Sequence, residues 1–212
     1  PHLPLQVISP DTHYDFQQNA KHRRAVLDWG LFHVEPDFSS LWSRYQRILL
    51  QRNAALKNHG QIKARFVWDE ELIETGDKLQ AARARLIAQL LPQYRACCQQ
   101  LMGERHQVEL ILEPGWESGN SFGENLRQDR ARDSARGFTH SGPHRADLQI
   151  NLNAQASRLN ASHGQYKILV IALRLAQIRF LLESRNKYCC LLIDDLAAEL
   201  DPEHRSRLTR FL

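Results

Sequence analysis

No stretch of this chain approaches the roughly 20 consecutive apolar residues that a membrane-spanning helix needs. Its opening, PHLPLQVISPD, lacks the basic head and long apolar run expected of a secretion signal. It also lacks an initiator Met, so the expectation is a piece cut from a longer protein. Zinc-type C-x-x-C spacing is missing. The four cysteines come as adjacent pairs, Cys97–Cys98 and Cys189–Cys190, and are expected to be reduced, partly buried thiols of a cytoplasmic protein. There are no internal repeats and no low-complexity tract. Nowhere does G-x-x-x-x-G-K-[S/T] occur, so the glycine loop that cradles phosphates with backbone N–H groups is absent from these 212 residues.

What is present is ordinary in bulk. Apolar residues make up 42% and charged residues 25%, which suits a core of useful size with an extension. The net charge of +4 and a pI near 9.0 mildly favour an anionic partner such as nucleic acid.

The pattern along the chain gives the organisation. LPLQVIS reads as a short strand, and NAKHRRAVLDWGLFHVEP as a helical run that Pro36 ends. Residues 37–58 carry apolar positions at three-and-four spacing (Leu41, Tyr45, Ile48, Leu49, Leu56), with Arg52 interrupting the stripe. Residues 69–101 repeat that pattern, with Pro92 expected to kink or break the helix. The domain expectation is therefore 1–36 leading in, a helical hairpin or arm over 37–104, and a second α/β part over 105–212. In that last part, QVELIL reads as a strand, the charged run 120–136 as an exposed helix, and GFTH with RADLQINL as a hairpin around SGPH. Residues 165–183 read as a helix, followed by a strand and a last helix near Pro202.

Two motifs carry chemistry. In YCCLLIDDLAAELD, an apolar run drives straight into Asp194 and Asp195. Ligands of open α/β sheets bind beyond the carboxyl ends of such strands. Two acids there can hold Mg²⁺ and orient a water, or they can simply be solvated at a strand tip. In ASHGQYK, Ser162, His163, Gly164 and Gln165 open the 165–183 helix. Helix N-termini offer unpaired N–H groups and a positive dipole end to phosphate. Serine is also a common helix cap, so this motif alone decides nothing.

The order of the two motifs adds more than either does. S-x-G-Q, a helix, an apolar strand ending in two aspartates and then ELD resemble the signature, Walker B strand and D-loop of ABC-type ATPase heads. HRRAVLDWGLF, SRYQRILLQRNAAL, GPHRADL and LIDDLAAELD together resemble the RecF family of bacterial recombination and gap-repair ATPases, over almost the whole chain. The resemblance implies an α/β fold: part of an ABC/SMC-type P-loop ATPase head with an inserted helical arm. It implies ATP and Mg²⁺, with Asp194 as the metal-linked acid and Asp195 as the residue that polarises the attacking water. Asp201 falls on the D-loop. Ser162, His163, Gly164 and Gln165 would touch the nucleotide of a second subunit in an ATP-dependent homodimer.

The same resemblance implies weak DNA-dependent ATPase activity in the intact protein, with little expected of this piece alone. It further implies a place in gap repair and the SOS response, duplex DNA near single-strand gaps, the RecR and RecO mediators, and a cytoplasmic, nucleoid-associated setting. Arg23, Arg24, Arg44, Arg47 and Arg52 are the candidate DNA contacts. The chain departs from the family at His163, where arginine is usual, and at Ala146, where an acid is usual. Three rivals stand beside this reading. They are a DNA-binding scaffold that keeps the fold without hydrolysis, a metallohydrolase on His140, His144 and Asp147, and a transporter ATPase subunit.

Overall fold

The computed structural model describes residues 3–57, 66–103, 106–195, 200 and 202–211. Two compact units divide the chain. One comprises residues 1–34, 86–111 and 148–212; the other comprises 35–85 and 112–147. The units part between residues 34 and 35, 85 and 86, 111 and 112, and 147 and 148. A single long helix carries its first half in one unit and its second half in the other.

The first unit holds the strands. Strand β1 (Leu5–Ile8) precedes helices α1 (Thr12–Gln18) and α2 (Ala20–Val34). Helix α3 (Phe38–Lys57) lies in the second unit, and α4 (Asp69–Met102) is the helix shared by both. Helix α4 runs on through Pro92, so the expected break does not occur. Pro92 and Ala88, the residue whose carbonyl the ring would deprive of its partner, are both exposed, so water can satisfy that carbonyl.

Strand β2 (Val108–Glu113) joins β3 (Asp147–Leu152) and β4 (Gln155–Ala156) in a three-stranded sheet ordered β2-β3-β4. Here the expected hairpin around SGPH is wrong. Gly142 leads into a single 3-10 turn over Pro143–Arg145, and β3 folds back onto β4 instead. The two linking residues, Asn153 and Ala154, both have positive φ, the signature of a tight hairpin turn.

Helix α5 (Phe122–Gln128) and helix α6 (Arg130–Arg136) replace the single exposed helix expected over 120–136. Phe122, Leu126 and Asp133 on them are buried. A short turn of helix, α7 (Ser157–Asn160), leads to α8 (His163–Arg185), strand β5 (Cys190–Ile193) and α9 (Pro202–Phe211).

Strands β1 and β5 pair in parallel, with Leu5 opposite Cys190 and Ile8 opposite Ile193. This places the two ends of the sequence side by side. The sequence leads one to expect β5 buried on both faces, yet Leu192 is exposed and its neighbours are half-buried. Only β1 flanks it among the described residues. Helix α8 supplies much of this unit's core through Ile168, Leu169, Ile171, Leu175 and Leu181.

The second unit packs α3, the first half of α4, α5 and α6 around Tyr45, Ile48, Leu72, Leu79 and Phe122. Gly76 allows α4 to meet Phe122 closely: a Cβ there would lie 2.5 Å from the ring. Among the described residues, eight of the buried ones in this unit are polar or charged, Arg52, Asp69, Asp133 and Thr139 among them.

Candidate nucleotide site

The acids of the first motif sit where the strand rule places them. Backbone N–H of Asp194 donates to the Ile8 carbonyl at 2.8 Å, the last rung between β5 and β1. Beyond that rung the chain leaves the sheet, and both Asp194 and Asp195 are exposed. Asp195 holds φ +47°, a left-handed conformation that costs energy for a non-glycine residue and that aspartate tolerates better than most. A carboxylate at a strand end, backed by a strained neighbour, suits a hard cation with oxygen ligands. Asp194 could offer a carboxylate oxygen to such a cation. The D-loop position Asp201 lies outside the described residues.

The second motif forms a complete capping box. Ser162 Oγ accepts the Gln165 N–H at 3.2 Å, and Gln165 Oε1 accepts the Ser162 N–H at 3.0 Å. Ser162, His163 and Gly164 are exposed, and a Cβ built on Gly164 would meet nothing within 4 Å. Among the described residues nothing lies close to that Gly164 position, so a group from elsewhere can approach the backbone there. The capping box fixes the N–H groups there without covering that face.

A buried polar ladder ties the two motifs' elements together, and the sequence did not single it out. Gln6 on β1 donates to Gln177 on α8 at 3.1 Å and accepts from Arg174 at 2.9 Å. Gln177 in turn donates to the Val26 carbonyl of α2 at 2.7 Å. Burial lowers the Arg174 guanidinium to about 10. Its signal was available: Arg174 and Gln177, with Arg179, interrupt a mostly apolar stretch of helix (LVIALRLAQIRF).

The proposed DNA contacts divide. Arg52 is wholly buried: Nε donates to Asp69 and Nη1 to Asp133, both at 2.7 Å, and Nη1 also donates to Thr139 at 2.8 Å. Arg23 is 3% exposed and donates to the carbonyls of Phe16 and Gln17, closing the C-terminal end of α1. Neither can reach a DNA backbone, so both drop out. Arg44 is exposed but paired with Glu71 at 2.7 Å. Arg24 is half-buried, and Arg47 is exposed.

His140, His144 and Asp147 do not form a metal centre. His140 Nδ1 donates to Asp133 at 2.8 Å. His144 Nε2 faces the Thr139 carbonyl at 3.2 Å, so it must carry the proton, and Nδ1 then accepts from the Tyr45 hydroxyl at 2.7 Å. Both nitrogens of His144 are spent. Among the described residues no cluster of three or more metal-binding side chains exists, and no helix is long and apolar enough to cross a membrane.

No family model matches the chain. Curated proteins do. DNA replication and repair protein RecF of Vibrio vulnificus is 40% identical over 206 residues, 97% of this chain. That of Sodalis glossinidius is 39% identical over 210 residues, 99% of this chain. The chain spans 57% of the length of each. Among solved structures, the recombination mediator protein RecF with the nucleotide ATPrS, of the RecFOR pathway, superposes with a TM-score of 0.84 at 22% identity. That match covers 94% of this chain and 57% of the other. The Smc head domain of Pyrococcus furiosus matches at 0.52 and 14% identity, over 97% of this chain and 51% of the other. Over nearly its whole length, therefore, the chain is similar to RecF in sequence and shares part of the fold of RecF and, more loosely, of an Smc head domain.

Proposed function

We propose that this chain supplies the signature and Walker B half of a RecF-type ATPase that acts in DNA replication and recombinational repair. One observation carries the reading. The exposed, capped start of α8 and the exposed Asp194–Asp195 pair at the end of β5 follow one another in the order an ABC head requires, on a fold that matches a nucleotide-bound RecF.

The chemistry is phosphoryl transfer to water, which depends on positioning and charge rather than covalent catalysis. Mg²⁺, when bound, would neutralise phosphate charge beside Asp194. Asp195 would accept a hydrogen bond from the attacking water and orient it. The N–H groups at Ser162–Gly164 would meet the terminal phosphate of ATP held by a second copy, so nucleotide binding and dimerisation become one equilibrium. Hydrolysis removes the shared phosphate and releases the pair. The dimer would hold duplex DNA at gap junctions through backbone phosphates and work with RecR and RecO in recombinase loading and the SOS response. Arg24, Arg44 and Arg47 remain the candidate contacts, each with affinity that falls with salt.

The test is ATP-driven self-association of the intact protein, followed by sedimentation. ATP should convert monomer to dimer, and Asp195→Asn should hold the dimer while slowing hydrolysis about a hundredfold. An Asp195→Asn protein that hydrolyses like the natural one would remove Asp195 from the catalytic role. A protein that never associates with ATP would favour the non-hydrolysing scaffold.

A further inference from the structure

One contact at the start of α8 is made by a residue with no part in the reading above. His13 lies on α1 and is 7% exposed. Its Nε2 stands 3.2 Å from Nε2 of His163, with the rings nearly perpendicular at 79° and 4.9 Å between centroids. Two imidazole nitrogens at that distance share one proton: one ring donates and the other accepts. The pair can take up a single further proton and keep the bond, now charge-assisted. A second leaves two N–H groups and two positive charges facing each other at 3.2 Å, and the bond cannot survive.

Tyr14 and Asp15 lie on α1, with Asp11 just before it; Lys21, His22, Arg23, Arg24, Asp28 and His33 lie on α2, Arg158 on α7, and Tyr166, Lys167, Arg174, Arg179, Glu183 and Arg185 on α8. Asp15 faces His22 at 3.4 Å, and Arg23 is bound to the α1 carbonyls. The Arg158 carbonyl accepts from Gln17 of α1, which pins the segment leading into α8 to the same helix.

We propose that His13 is a positioning residue for the signature segment: it holds the His163 ring back against α1 until the pair becomes doubly protonated, and then releases a cationic His163 toward the phosphates of the nucleotide on a second copy. The inference rests on reading Ser162–Gln165 as the segment that faces that nucleotide. In it, phosphate binding and proton uptake favour the same state, so acid strengthens the nucleotide-dependent contact.

Two measurements on the intact protein test it separately. The first is the nitrogen–nitrogen scalar coupling across the shared hydrogen bond, read by NMR on the ¹⁵N-labelled protein without nucleotide. A coupling between the two Nε2 atoms is expected at pH 8 and is lost on acidification to about pH 5, below the ordinary histidine range. No coupling at pH 8 overturns the pairing.

The second is ATP-driven dimer affinity between pH 8 and pH 5.5. It should rise about tenfold with acid, the scale of one added charge-assisted contact. His163→Gln should abolish the rise. His13→Phe should keep it but start it at higher pH, because nothing then restrains the ring. A His13→Phe protein weakened by the same factor at every pH would make His13 merely structural and overturn the proposal. If neither the natural protein nor the variants associate with ATP at any pH, the nucleotide reading fails and takes the phosphate half of the proposal with it. The coupling still decides the pairing.

Discussion

Two pairs of aspartates invite comparison. Asp69 and Asp133, in the second unit, are buried and saturated: Arg52 bridges them, Arg130 adds a contact to Asp69 at 3.0 Å, and His140 adds one to Asp133. Asp194 and Asp195, in the first unit, are exposed at a strand end, one of them on strained backbone. The first pair spends its charge inside the protein. Buried ion pairs add little net stability but cost a great deal when halved. The second pair stands open to solvent, and it is the pair that the proposed function assigns to a nucleotide. Burial, rather than residue type, separates the two pairs.

The largest effect should come from breaking the buried set. Arg52→Ala should cost about 3–5 kcal/mol in urea unfolding, because two carboxylates lose their common partner. The double variant Arg52→Met with Asp133→Leu should lose less than the single one. A single variant within about 0.5 kcal/mol of the natural protein would mean the network is not closed in solution. At the exposed pair the expectation inverts. Asp195→Asn should leave unfolding within about 0.5 kcal/mol of the natural value, or raise it slightly by easing local charge, while slowing hydrolysis about a hundredfold. A large stability loss there would erase the distinction between the pairs.

The thiols sharpen the same contrast with a smaller effect. Burial pushes Cys97 up to about 11 and Cys98 to about 12, while Cys189 is raised by a lesser degree of burial. A thiol raised in the folded state leaves stability intact below its ordinary value near 9. That contribution is then lost as pH rises toward 11 and 12, because the unfolded chain ionises first. Alkaline unfolding should therefore begin above pH 9. At pH 8 the half-buried Cys189 and Cys190 should react with a thiol reagent well before Cys97 and Cys98. The smallest effect is expected at Arg47. Arg47→Ala should weaken DNA binding less than tenfold and reduce the salt slope by about one, if that arginine meets a phosphate.

The capping box at the head of α8 and the acidic end of β5 were legible because both are local. A capping box spans four residues, and a strand ending in acid is contiguous. The buried network was not, since Arg52, Asp69 and Asp133 come from α3, α4 and α6. In its own stretch, RARDSAR reads as a solvated face. Arg52 inside the α3 stripe was the one visible clue, and it points to buried charge only once its partners are known. The β3–β4 hairpin was hidden for a different reason. Its turn places Ala154 at φ +64°, where glycine would have announced it. The unbroken passage of α4 through Pro92 shows a local rule yielding to solvent access.

The parallel pairing of β1 with β5 also has a consequence in time. The strand that ends in Asp194 completes its ladder on a partner made near the start of this chain, with both units' residues in between. On a ribosome, β1 must wait while nearly all of these residues emerge before its neighbour exists. Contacts between such distant residues are slow to close and leave an unpaired edge exposed meanwhile. The nascent chain should therefore acquire its helices well before it acquires the strand end that presents its acids. Arrest of synthesis just before β5 would leave β1 without this partner and the chain without the acidic strand end.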